Sequence, residues 1–435
     1  MENKQHNQDL FAFLQAAISP FHAVAVARRR LTEAGFTELR EENSWHITPG
    51  ERYVVTRRGQ ALIAFSVGAD PAASGLRFLA CHADSPALKL KPRPEIVVSL
   101  TNPPLRQLGV EVYGGALISA WFDRALSLAG RLHLLDADGS AHETLVDFRE
   151  PFLIIPSLAI HFHREAGGGQ AVNPQKHLPL IFSQGKAAWQ DCLLTQARRE
   201  RPTATEILAA DLFVYDPQPP SFLGINQEFI AAARLDNLLS CHAALAALTE
   251  EAETPANFFL ICASHEEVGS VSAGGAQGGF AEDVLRRIIP DHEARSRCLA
   301  RSFLLSMDNA HASHPNYPES GDSAHPVAMN GGVVIKTNAK ERYATDSRGA
   351  AICQMLAREA GVATQFFVMR SDLPCGSTVG PPLAAKFGLV AADVGAPTLA
   401  MHAVREMTGA DDPASLTRLA RRFARSSLPL INMEE

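Results

Sequence analysis

The sequence predicts an α/β protein: a mixed, mostly parallel sheet flanked by helices, interrupted by an inserted β-rich domain. Three observations carry this expectation. After residue 235, apolar runs of strand length alternate with helical patterns, the order that builds parallel strands joined by crossover helices. Between residues 108 and 162, strand-like runs follow one another instead. Two proline-dense segments, KPRPEIVVSLTNPPLR and DPQPPSFLG, flank that stretch and mark breaks. The simplest organisation is a discontinuous domain, 1–92 and 235–435, carrying an insert, 93–234.

Taken in order, the elements support this reading. Gln8 to Ile18 and His22 to Ala34 have apolar residues at helical spacing, and Gly35 suits the end of the second helix. RYVVT and ALIAFSV flank RRGQ as a hairpin, and LRFLACHA is a buried strand that ends near His82. In the insert, VEVYGG, GRLHLLDADGSAHETLVDF with its D-G turn, and FLIIPSLAIHF read as β, and EAGGGQAVNPQKHLP reads as a loop. Beyond it, Asn237 to Glu251, Arg348 to Ala360 and Pro413 to Ala424 read as helices; NFFLICAS, SFLLSMD, QFFVMR and GLVAADV read as strands. No internal repeat or low-complexity segment is visible.

Composition excludes several classes. The net charge is −7 and the basic residues are scattered among acids, so no electrostatic footprint for nucleic acid is present. No run of 18 apolar residues occurs and MENKQHNQDL is too polar for a secretion signal, so neither membrane nor export is expected. The seven cysteines are spread out and odd in number, as for reduced core thiols in a cytoplasmic protein.

The acids and histidines fall where apolar elements end. His82 and Asp84 follow one strand, Glu266 and Glu267 a second, Asp308 a third; Asp236 opens a helix and His402 follows VGAPTLAM. In open α/β sheets, sites form beyond the C-terminal ends of strands, where such residues converge. Two histidines, two aspartates and one glutamate make a nitrogen and oxygen set suited to two divalent ions. An aspartate can bridge such ions, and the second glutamate of the adjacent pair is left to handle protons. Asp84, two residues past His82, shares its face of the strand and can orient the imidazole. His311, His314 and Cys375 read as loop or packing residues, and the glycine-rich segments lack a phosphate-binding spacing.

Together these motifs resemble the aspartyl aminopeptidase family of dinuclear metallopeptidases. The likeness runs through HADSPALKLKP, YGGALISAWFDRALSLAGR, IPSLAIHFHRE, ARLDNL, SHEEVGS, SMDNAHASHPNYPE, VVIKTNAKERYATD, RSDLPCGSTVGP and LAMHAVREM, in that order. It implies that His82 and Asp308 hold one ion, Glu267 and His402 the other, and that Asp236 bridges them. It further implies Glu266 as general base, with water attacking the first peptide bond, and Asp84 as the residue that orients His82. The ions would be Zn2+, with Mn2+ or Co2+ also compatible with the ligands. The insert would mediate dimer contacts within a tetrahedral dodecamer, with His161 reaching a neighbouring subunit's site. Lys336 and Tyr343 would line the pocket for an acidic N-terminal side chain, although a structural salt bridge is the other role open to Lys336. Two departures fall in the insert: the Ala and Leu residues of YGGALISAWFDRALSL and the glycine-rich EAGGGQ after His161.

The expected function is removal of N-terminal residues, preferably Asp or Glu, from peptides. A neutral preference, or deacylase or carboxypeptidase chemistry, would use the same ions.

Overall fold

Helical spacing of apolar residues opens the chain on two helices, α1 (Glu2–Ala16) and α2 (Pro20–Glu33). The computed structural model describes residues 2–162, 171–249 and 257–427. α1 starts earlier than its apolar pattern indicates, because the polar residues before Gln8 continue the helix, with Asn7 buried and donating to the Ala410 carbonyl at 2.7 Å. Ser19 caps α2 by accepting from the His22 amide at 3.4 Å, Pro20 fixes its first turn, and Gly35, at φ 90°, follows its end. Next come β1 (Thr37–Leu39), the hairpin β2 (Arg52–Arg57) and β3 (Ala61–Ser66), α3 (Pro71–Ser74) and β4 (Arg77–His82). The following stretch holds β5 (Ala87–Val98), β6 (Leu105–Tyr113), β7 (Ser127–Asp136), β8 (Ala141–Asp147), α4 (Pro174–His177), β9 (Leu180–Gln184), α5 (Trp189–Glu200) and β10 (Ala204–Tyr215). The chain continues through β11 (Ser221–Leu223), β12 (Phe229–Ala232), α6 (Leu235–Thr249), β13 (Phe258–Ala263), α7 (Phe280–Ile288), α8 (His292–Ala300), β14 (Phe303–Met307), β15 (Ala310–His311) and β16 (Val333–Thr337). It closes with α9 (Ser347–Glu359), β17 (Thr364–Val368), α10 (Gly380–Phe387), β18 (Val390–Gly395), β19 (Pro397–Leu399), β20 (Glu406–Gly409) and α11 (Asp412–Ala424).

Two compact units result: Met1–Ser85 with Pro220–Met401 and Glu406–Glu435, and Pro86–Pro219 with His402–Arg405. The first is built on a nine-stranded sheet of order β1-β2-β3-β13-β4-β14-β18-β16-β17. Its four central strands, β13, β4, β14 and β18, are all parallel. They read as unbroken apolar runs because both faces are covered. Successive residues go to opposite layers: Leu79, Leu260 and Leu305 join a cluster with α1, α2, α6, α9 and α11, whereas Phe78, Phe259 and Leu304 join one with α7, α8 and α10. Each fully buried Leu or Phe there contributes about 1.5–3 kcal/mol. A second, five-stranded sheet, β11-β12-β20-β19-β15, joins this unit's late and middle segments.

The other unit is an antiparallel six-stranded sheet, β8-β7-β10-β5-β6-β9. Its core gathers Leu88, Leu108, Leu128, Leu132 and Trp121 with Trp189 and Leu193 of α5. The first proline-dense segment is not irregular chain: Pro92 and Pro94 lie within β5, where the pairing with β6 shifts register between Leu90 and Glu95. That irregularity spares the ladder the amides prolines lack. FLIIPSLAIHF, expected as β, makes only single bridges from Leu153 and Ile154 and ends in a short 3-10 turn, Ile160–Phe162. Pro156 interrupts it. The expected loop that follows contains α4, capped by Asn173; EAGGGQ lies outside the described residues. Among the described residues no helix is long and apolar enough to cross a membrane. All seven cysteines are free thiols.

Gly395 shows how tightly the end of β18 approaches β14. A Cβ there would lie 1.8 Å from the carbonyl oxygen of Asp308. Gly395→Ala should therefore lower stability by at least ~1–3 kcal/mol, the usual range for overpacking. Denaturant titration of the purified variant checks this, and an unchanged midpoint would refute the close approach.

Candidate metal centre

The parallel centre of the large sheet places its strand ends side by side. His82, the last residue of β4, pairs in register with Ala263, the last of β13. Past β13 the chain turns sharply: His265 adopts φ 58°, its carbonyl accepts the Ser270 amide at 2.7 Å, and Glu266–Val268 form one 3-10 turn. Asp308 directly follows β14, its amide bonded to the Val394 carbonyl at 2.8 Å. Asp236 enters from β12 at the start of α6, in an extended backbone (φ −82°, ψ 108°) that precedes the regular helix.

These residues converge. His82 Nε2 lies 3.5 Å from Asp236 Oδ1 and 3.8 Å from Asp308 Oδ2. Candidate ligand atoms of His82, Asp236 and Asp308 all lie within 4.8 Å of one another, as do those of His82, Glu266 and Glu267. Asp84 is fully buried. Its carboxylate accepts the backbone amides of Glu266 and Glu267, each at 3.2 Å. Its own carbonyl, rather than its carboxylate, is nearest the imidazole: His82 Nδ1 lies 3.0 Å from Asp84 O and 3.6 Å from Oδ1. An imidazole that donates from Nδ1 presents Nε2 as the free acceptor a metal needs.

Further residues hold this arrangement, and the motifs did not single them out. Glu406 of β20 accepts the Asp236 amide at 2.9 Å, Ser85 donates to the Asp236 carbonyl at 2.6 Å, and the Asn237 carboxamide donates to the Met307 carbonyl at 2.8 Å. Glu406 is only 2% exposed; a glutamate inside an otherwise buried strand was the available signal. Lys336, on β16, is 2% exposed, with Nζ 3.2 Å from the Asn309 carbonyl and 3.9 Å from Asp308 Oδ1. The Tyr343 ring lies 5.1 Å from that ammonium. His402 groups with the smaller unit, on the loop joining β19 and β20, at φ 68° with Nδ1 3.1 Å from the Gly115 carbonyl. His161, in the same unit, is exposed on its 3-10 turn. His311 stacks obliquely on Phe367 at 5.7 Å, and His314 meets Tyr317 edge-on at 4.9 Å.

The electrostatics call for cations. Burial and the neighbouring carboxylates push Asp308 up to about 6 and Glu266 up to about 7. Glu267 is driven well above the usual carboxylate range, first by burial and then by Asp236. Burial opposes charging of His82, but Asp236 and Asp84 outweigh it and raise its pKa well above 6.5. Carboxyl groups that resist ionisation on their own, gathered around an imidazole, are the chemical form of a divalent-ion site. The residues present fit such ions.

A donor set of this kind, beyond the strand ends of a mostly parallel sheet, defines a metal-dependent hydrolase. The chain belongs to the family of the aminopeptidase I zinc metalloproteases (M18), whose profile matches residues 13–423. It is 48% identical over 430 residues to a probable M18 family aminopeptidase 2 of Pseudomonas paraeruginosa, covering 97% of this chain and 99% of that one. Its structure is similar to that of Ape4 in the cryo-EM structure of the Ape4 and Nbr1 complex, with a TM-score of 0.92 at 35% identity, over 98% of this chain and 86% of the other. It is likewise similar to the S. cerevisiae mApe1 dodecamer, with a TM-score of 0.80 at 26% identity, over 96% and 95% of the two chains. The protein is thus a metal-dependent aminopeptidase.

The raised carboxylates fix the pH behaviour of metal binding. An acid whose pKa is raised in the folded state keeps its proton as pH falls below that value, and the ion must then expel it. Affinity should accordingly weaken as pH drops through about 6, the value reached by Asp308. Calorimetric titration of the metal-free enzyme at pH 6, in two buffers of different ionisation heat, should show proton release. Equal heats in both buffers would contradict the assignment.

Proposed function

We propose that this enzyme cleaves N-terminal residues from short peptides, preferring Asp or Glu, with two divalent ions, Zn2+ foremost. The observation that carries this is one cluster in which the buried His82, Asp236 and Asp308 and the half-buried Glu266 and Glu267 meet beside the ammonium of Lys336. In this reading His82 and Asp308 hold one ion, Glu267 and His402 the other, and Asp236 lies between them. His402 enters from the family resemblance and from its place after β19. The ions, when bound, supply a polarised scissile carbonyl and an acidified water.

The remaining steps belong to the protein. Asp84 fixes the peptide of the glutamate pair, so the two side chains leave one backbone turn with separate tasks. Glu266 takes the proton of the attacking water and returns it to the leaving amine; a carboxyl group whose pKa stands at about 7 can do both near neutral pH. Lys336 and Tyr343 receive the acidic side chain of the first residue. The free α-amine of the peptide meets the anionic cluster, which discriminates against blocked N-termini.

We further propose that the insert, 93–234, serves assembly, as a homo-oligomer of the dodecameric kind seen for mApe1. Leu158, Ile160 and Phe162 are 53%, 61% and 79% exposed around His161. Such an apolar flank suits a partner subunit, with His161 completing a neighbouring site. Free thiols throughout accord with a cytoplasmic setting.

Dipeptides with N-terminal Asp, Glu, Leu or Lys, assayed with and without chelator, test the specificity. Chelator-sensitive cleavage of Asp and Glu substrates is expected; cleavage of Leu alone would keep the metals and remove the acidic preference. Glu266→Gln should retain its ions and lose about 10²–10⁴-fold in kcat, the usual contribution of a general base. Near-normal turnover would refute that role. Asp236→Ala should lose metal together with activity, as elemental analysis of the dialysed variant would show.

A further inference from the structure

Asp308 divides its two carboxylate oxygens between two partners. Oδ2 faces His82 Nε2 at 3.8 Å, and Oδ1 faces Lys336 Nζ at 3.9 Å. Lys336 is 2% exposed, so its ammonium has to be satisfied inside the protein. The Asn309 carbonyl accepts from it at 3.2 Å, and the Tyr343 ring covers it at 5.1 Å. Lys336 lies on β16, within a strand whose other central residues, Val333 to Ile335, are fully buried. The stem is therefore held in the core, and the ammonium is delivered to one place. Asn309 immediately follows Asp308, so a single lysine donates to the backbone beside Asp308 at 3.2 Å and faces its carboxylate at 3.9 Å.

We propose that Lys336 is a positioning residue for the metal centre: it fixes Oδ1 of Asp308, leaving Oδ2 turned toward His82 and the ion they share. This assigns Lys336 a role toward the metal that is separate from reading the substrate. The two roles meet in one group, because an acidic side chain entering beside Tyr343 has to share an ammonium already engaged by Asp308. This last consequence rests on the acidic preference proposed above; the positioning role does not. Charge alone would set the ammonium against the ion, but a buried carboxylate oxygen that loses the facing ammonium is left uncompensated and free to rotate away.

The test uses the full-length enzyme with Lys336→Met, Lys336→Gln and Lys336→Arg. Ion affinity is measured by competition with a chromophoric chelator, and the Co2+-substituted enzymes are compared by visible absorption. Met and Gln variants should bind one ion roughly 10–100-fold more weakly, the usual effect of losing a ligand's supporting partner. Their Co2+ bands should shift, and kcat should fall for Leu dipeptides as well as for Asp dipeptides. Arg should restore most of the affinity. Unchanged ion affinity in the Met or Gln variant overturns the proposal. If Met does not fold, equal affinity in the Gln and Arg variants overturns it as well. Loss of Asp cleavage alone, with affinity intact, would sink the positioning role and leave the specificity reading standing. Weakened affinity with the Asp preference intact would do the reverse.

Discussion

A fully buried carboxylate organises the centre of this enzyme. Asp84 spends both oxygens on the amides of Glu266 and Glu267, and its carbonyl on His82. Three functional side chains on two parallel strands are thereby tied to one residue. A charge so deep in the protein is tolerable because two amides of the tight turn after β13 donate to it. The turn in turn depends on the left-handed conformation of His265 and on Gly269 at φ 96°. Loss of the Asp84 carboxylate would release the turn and leave the two glutamates without a fixed direction.

The layered fold provides what this arrangement requires. Four parallel strands end at one level because their register is locked by helices on both faces, so ligands far apart in sequence arrive within a few ångströms. The price in electrostatics is a cluster of acids with raised proton affinity. That cost is the same quantity that divalent cations offset on binding, which makes metal loading and the stability of the site one equilibrium. Lys336 brings a cation of the protein's own to the cluster, placed 3.9 Å from a carboxylate that has to point in one direction.

Much of the layout was legible because its causes are local. Unbroken apolar runs such as FFLICA and RFLACH can only be strands buried on both faces, and acids placed directly after them stand at strand ends. Asp84 was legible as a support for His82 from its spacing, but the partners of the other supporting residues were not. Glu406 reaches Asp236 across 170 positions of sequence, and Lys336 reaches Asp308 only because β16 runs antiparallel to β18, a pairing no periodicity reveals. The strand expected over FLIIPSLAIHF failed for a different reason. Its apolar residues satisfy the pattern, but they pack around single bridges and a proline rather than along a ladder. Pro92 and Pro94 show the converse, since a register shift lets a strand absorb residues that normally end one.

The five-stranded sheet has a consequence for how the enzyme comes into being. β12, which leads to Asp236, pairs with β20, and β20 supplies the Glu406 that holds the Asp236 amide. During synthesis, Asp236 emerges long before its clamp does. The helices and the large sheet have most of their partners by then, but Asp236 gains its support only once β20 is made. Asp236 is therefore the part of the centre whose support is completed last in the order of synthesis, after the strands that carry His82, Glu267 and Asp308.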